Sequence, residues 1–96
     1  MNLGIVLARR ADVALARGLT CAARAAGDEV RWFVMAEGVL ALDDALPAAA
    51  RDDVDVTACA TSADQLSVAP PPWVRLGSQD DHAALLAWAH RVVALT

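Results

Sequence analysis

The sequence predicts an α/β fold in three layers, a parallel sheet of at least four strands with helices on both faces. Three observations predict it. Strand-like and helix-like segments alternate from end to end, the pattern of a parallel sheet joined by right-handed crossovers. The leading strand segment is a continuous apolar run, as in strands buried on both faces. Three of the four helix segments open on acidic or hydroxyl residues, and the first of them stops at a glycine. The chain of 96 residues is sized for one small domain, 1–96, and contains no internal repeat or low-complexity tract.

Leu3-Gly4-Ile5-Val6-Leu7-Ala8 is the first strand. Ala11 to Ala26 is rich in Ala, Leu and Arg, with Asp12 near its start and Gly27 past its end, and reads as a helix. Val30 to Met35 is the second strand, broken by Gly38. Val39 to Arg51 reads as a helix that Pro47 interrupts or restarts. Val54-Asp55-Val56-Thr57-Ala58-Cys59 alternates apolar and polar residues and is the third strand. A short helix follows, from Ser62 to about Ser67, with Ser62 as N-cap and Gln65 as its reciprocal partner. Ala69-Pro70-Pro71-Pro72 is a rigid connector. Trp73 to Leu76 is the fourth strand, ended by Gly77. Ser78 then caps a last helix, Gln79 to about Leu95, with Asp81 at its third position.

Composition excludes several function classes. The net charge is −4, and the 8 basic residues are all scattered Arg, which argues against non-specific nucleic-acid binding. The apolar runs fall short of a membrane span. Ala8-Arg9-Arg10-Ala11-Asp12 follows the first strand in place of a glycine-rich phosphate loop, and there is no Walker motif. Two cysteines form no disulfide framework and no C-x-x-C pair, and Arg9 and Arg10 interrupt the N-terminal apolar run, so a cytoplasmic setting is expected. The hydrophobic fraction of 57% is generous for this length, although much of it is alanine, and surplus apolar surface points to a subunit interface.

In open α/β sheets, sites form outside the carboxyl ends of the strands. Those ends carry Arg9-Arg10, Ala36-Glu37-Gly38, Cys59-Ala60-Thr61-Ser62 and Gly77-Ser78-Gln79-Asp80. Cys59 is the centre of any such site. A thiol at a strand-to-helix junction meets free backbone N–H groups and the positive end of a helix dipole, which favours the reactive thiolate. A reactive Cys59 is expected to be partly exposed with a depressed pKa; the alternative is an inert, buried Cys59. Thr61, Ser62, Gly38, Ser78 and His82 complete the candidate binding set. His82, in the first turn of the last helix, is either a base for Cys59 or a solvated residue beside Asp80 and Asp81. His82 and His90 are too far apart for a compact metal clamp, and no metal is expected. Cys21 reads as a small core residue. Trp32 and Phe33 face opposite sides of their strand, so one is available to an interface, and Trp88 reads as core with Leu85 and Val92. Trp73 is expected to cover the sheet end.

Gly27-Asp28-Glu29-Val30-Arg31-Trp32-Phe33-Val34-Met35-Ala36-Glu37-Gly38-Val39 resembles the GHEV-x-x-F-x-x-x-x-GV segment of the DsrE/DsrF/DrsH-like sulfur-relay proteins. The third strand ending in Cys59, the short helix after it, and Val74-Arg75-Leu76-Gly77-Ser78 resemble the rest of that pattern. The resemblance implies a flavodoxin-like sheet of about five strands, hence four to five here. It also implies a persulfide on Cys59, received from a sulfur-donor protein and passed to an acceptor, with no metal or organic cofactor. Assembly into a homo-oligomeric trimer or hexamer, or a hetero-oligomer of related subunits, is implied as well. By position, the N–H groups of Thr61 and Ser62 would stabilise the anionic sulfur. Two further readings stand beside this one: a non-catalytic assembly subunit or binding module with a structural Cys59, and a cysteine hydrolase using His82.

Overall fold

The computed structural model describes residues 1–96. Five strands, β1 (Asn2–Leu7), β2 (Glu29–Val34), β3 (Asp55–Cys59), β4 (Arg75–Gly77) and β5 (Arg91–Leu95), pair in parallel in the order β4-β3-β2-β1-β5. Three α-helices join them: α1 (Val13–Ala25), α2 (Ala60–Gln65) and α3 (Gln79–Trp88). The architecture is the three-layer, flavodoxin-like α/β sheet.

Strand order and crossover handedness together fix the layers. From β1 to β4 the chain advances one strand at a time in a single direction, so right-handed crossovers put α1, residues 36–50 and α2 on one face. From β4 it returns across the sheet to β5, and the same handedness places α3 on the other face. The core is divided accordingly. One cluster of 15 buried residues, including Ile5, Leu7, Trp32, Val34, Val56 and Ala58, fills the first face. A cluster of 4, Val6, Phe33, Cys59 and Leu85, lies under α3. Trp32 and Phe33 are each 1% exposed, one on each face, so neither is available to an interface.

Local sequence explains most of the elements. Gly27 closes α1 with φ +86 and hydrogen bonds from Gly27 N to Arg24 O (3.0 Å) and Asp28 N to Ala23 O (3.0 Å), a left-handed stop that glycine adopts without strain. Ser78 and Asp81 form a reciprocal capping box on α3. Thr20 on α1 accepts from the Trp32 indole N–H at 2.8 Å and donates to Ala16 O at 2.8 Å, so the one polar atom of the buried ring is satisfied inside the core.

Three elements differ from the sequence expectation. Residues 39–51 are not an α-helix: 3₁₀ turns span Ala36–Asp44 and Ala48–Ala50. Val39, Leu42 and Ala45 are buried at a spacing of three, which matches the 3₁₀ period, and Pro47 prevents continuation. The helix after Cys59 starts at Ala60, two residues before Ser62, and Cys59 itself occupies the N-cap position. The last helix ends at Trp88, and Arg91–Leu95 is β5. Without β5, the edge of β1 would present unpaired backbone groups. The junction is held by Asn2 and His90: His90 N donates to Asn2 O at 2.9 Å, Asn2 N donates to His90 Nδ1 at 2.9 Å, and Asn2 Nδ2 donates to Trp88 O at 3.1 Å. This side-chain turn carries no Gly or Pro, so a helix pattern runs through it in the sequence.

Trp88 is half-buried, with the Arg31 guanidinium 4.1 Å from its ring centroid, rather than a core residue, and Val92 is exposed on β5. Trp73 packs half-buried against the larger core, with the Arg51 guanidinium 4.8 Å from its ring centroid. Cys21 is exposed on α1, not part of the core. No helix is long and apolar enough to cross a membrane.

Replacing Thr20 by Val leaves the Trp32 N–H buried without an acceptor. The expected loss of unfolding free energy is about 1–3 kcal/mol in urea titrations, with most of it recovered by Thr20→Ser.

Candidate functional site

The outgoing connections of β3 and β4 leave to opposite faces of the sheet, the arrangement that opens a site at strand carboxyl ends. Cys59 ends β3 and pairs in register with Gly77 at the end of β4. Close packing there requires glycine: a Cβ on Gly77 would lie 2.6 Å from Thr57 Cγ2 and collide with the Asp81 carboxylate.

Cys59 is buried, 6% exposed, in contrast to the partial exposure expected of a reactive thiol. The cause is its position on the sheet face under α3, in one cluster with Phe33, Val6 and Leu85. Sγ closes no capping hydrogen bond of standard geometry with α2. Its hydrogen-bond partner is Gln79 Nε2, which donates from 4.0 Å. Burial pushes the thiol up, but the donors outweigh it: the Ser62 hydroxyl first, then the N–H groups of Ser62 and Thr61, then the Gln79 amide, so that the thiol stands below its ordinary pKa.

Ser62 is oriented from the neighbouring loop. Its Oγ accepts from Ala36 N–H at 2.9 Å, which leaves the O–H proton free to point toward sulfur. Ala36 has φ +49, a left-handed conformation that costs a non-glycine residue about 1–2 kcal/mol. The Ser62 hydrogen bond offsets part of that cost and ties the end of β2 to the start of α2.

The remaining candidate residues occupy distinct places. Thr61 is an exposed residue of the first turn of α2 and approaches Cys59 through its backbone N–H. Gly38 is buried where the loop after β2 crosses β1, and a Cβ there would lie 2.6 Å from Leu7 O; it packs the loop rather than touching the thiol. Ser78 spends its polar groups on the α3 cap, Oγ accepting from Asp80 N at 3.2 Å while its N–H donates to Asp81 Oδ2 at 2.8 Å. His82 does not meet Cys59; Gln79 stands between them, its Oε1 3.0 Å from His82 Nδ1. A thiol–imidazole hydrolase pair is therefore not assembled. No group of three or more His, Cys, Asp or Glu side chains converges. A cleft of about 50 Å³ beside the site on the same sheet face is lined by Arg31, Thr57, Arg75 and Asp81 among others, and Cys59 is not part of its wall.

Sequence reasoning missed Gln79 and Ala36. Both lie in the strand-end stretches that the parallel sheet gathers, which is the signal that could have found them. The sequence places Gln79 at the start of the last helix and Ala36 in the stretch after the second strand, and gives neither a role at the thiol.

No protein-family model matches the chain, and no curated protein does. Among solved structures, the crystal structure of the YchN protein from E. coli shares the fold, with a TM-score of 0.68 and 17% identity over 99% of this chain and 100% of that one.

With Cys21→Ser as background, Ser62→Ala is expected to move the thiolate titration of Cys59, followed by ultraviolet absorbance, to higher pH. Stability follows the same group. Cys59 has a lower pKa folded than unfolded, so its contribution is present above the unfolded thiol pKa and is lost as pH falls through the folded value. Unfolding free energy measured across that window should rise with pH in wild type and lose this slope in Cys59→Ser.

Proposed function

We propose that this protein carries sulfur as a persulfide on Cys59 and exchanges it with partner thiols. The observation that carries this reading is the placement of one thiol at the β3 and β4 ends, held below its ordinary pKa by Ser62, Thr61 and Gln79 donors. The sequence resemblance to the DsrE/DsrF/DrsH-like sulfur-relay proteins supports it, and the fold shared with YchN is consistent with that resemblance.

The chemistry balances without a cofactor. The Cys59 thiolate attacks the outer sulfur of a donor persulfide; the new S–S bond forms as the donor's own S–S bond breaks, and the donor leaves as a thiolate. An acceptor thiolate then attacks the outer sulfur on Cys59, and Cys59 returns to its thiolate. The proton of the transferred S–H travels with it, and no net oxidation occurs. The same donors that favour the thiolate also make Cys59 a good leaving group in the second step, because a lower thiol pKa speeds departure.

The low exposure of Cys59 favours a second reading, a non-catalytic subunit in which Cys59 is packing. Intact-protein mass spectrometry after incubation with a sulfane-sulfur donor separates the two. The carrier reading predicts a gain of about 32 Da that reductant removes and that Cys59→Ser lacks, with Cys21→Ser still loading. Loading that depends on Cys21 alone, or no loading, supports the subunit reading instead.

A further inference from the structure

We infer that Gln79 and His82 are positioning residues for the Cys59 sulfur: His82 fixes the Gln79 side-chain amide so that its NH₂ end faces Sγ. The inference rests on Cys59 being the reactive thiol and adds what holds its donor in place.

Three contacts in series carry it. Gln79 Nε2 is 4.0 Å from Cys59 Sγ, and Gln79 Oε1 is 3.0 Å from His82 Nδ1. The His82 ring lies flat on Phe33, with centroids 4.9 Å apart and planes at 7°. Phe33 is 1% exposed and belongs to the same buried cluster as Cys59, so the platform is rigid. An amide oxygen only accepts, so with Oε1 facing the ring this contact is a hydrogen bond when His82 carries its proton on Nδ1. The opposite amide orientation would set NH₂ against that N–H and aim oxygen lone pairs at the sulfur. The chain is anchored at its other end as well: Gln79 is the first residue of α3, directly after the N-cap Ser78 and within the Ser78–Asp81 capping box.

Other charged groups on the surrounding elements are Arg31 on β2, whose guanidinium stacks on Trp88, Glu37 after β2, Asp55 on β3, Asp64 on α2, Arg75 on β4, and Asp80 and Asp81 on α3. None of them hydrogen-bonds to Sγ. Arg75 is engaged with Thr57 Oγ1 at 2.8 Å and Asp55 Oδ2 at 3.3 Å, and Asp81 with the α3 cap. Gln79 is thus the side-chain amide that reaches the sulfur, and His82 is the group that sets which end of it does so.

The test is the pH–rate profile of iodoacetamide alkylation at Cys59 in native protein carrying Cys21→Ser, with thermal melts to verify folding. Gln79→Leu should move the midpoint up by about half a pH unit or more, about a threefold loss of rate at neutral pH. His82→Phe keeps a flat ring on Phe33 but removes the donor, and should shift the midpoint in the same direction. His82→Asn places an amide N–H near the Nδ1 position and should restore it. A structural role for the ring alone predicts the reverse ranking of the two His82 variants. An unchanged midpoint in Gln79→Leu, or His82→Asn behaving like His82→Phe, overturns this inference while leaving the carrier reading intact. A wild-type Cys59 that alkylates only after denaturation overturns both.

Discussion

The return crossover from β4 to β5 is the constraint on which the site depends. Four strands advance in one direction and place their connections on one face; only the return can cover the other. That single helix, α3, starts at the end of β4, the strand paired in register with Cys59. Its first turn therefore has to pass over the thiol. Without the reversal, Cys59 would end a strand whose second face is open to water, and no side chain from a distant part of the sequence would reach it.

The electrostatics of Cys59 are a contest that this geometry decides. Removing a thiolate from water disfavours it, and a cysteine 6% exposed would ordinarily be a neutral, inert thiol. Here two elements converge with donors. The start of α2 contributes N–H groups and the Ser62 hydroxyl, itself oriented by the strained Ala36 peptide; α3 contributes the Gln79 amide. The α2 donors contribute most, the Ser62 hydroxyl first, and the long Gln79 contact contributes least. Together they outweigh burial. The consequence is a shielded thiol whose pKa is lowered rather than raised, a combination that suits the proposed carrier role, in which a labile S–S bond is kept from bulk thiols and Cys59 leaves readily.

Much of the fold was legible in the sequence because the signals were local. Leu3–Leu7 is continuously apolar, Gly27 stops α1, and Ser78 with Asp81 announces α3. What was not legible depended on distant partners. β5 follows α3 through Ala89-His90, a turn closed by Asn2 from the other end of the chain, and no local composition encodes that closure. The 3₁₀ segment over residues 36–44 follows from how Val39, Leu42 and Ala45 meet the sheet, not from their helix propensity. At the site, Cys59 was legible from its strand-to-helix position, as were the neighbouring N–H groups. The amide of Gln79 was not, because its meeting with sulfur is a product of the crossover rather than of spacing along the chain.

The central claim is that a buried, donor-held Cys59 is more reactive than an exposed, ordinary Cys21. The direct measurement is a competition between the two in native protein at neutral pH, with substoichiometric iodoacetamide and peptide-resolved mass spectrometry. The account predicts that the adduct appears on the Cys59 peptide ahead of the Cys21 peptide and that this order is lost on denaturation. Labelling of Cys21 alone, with Cys59 protected until the chain unfolds, would contradict it.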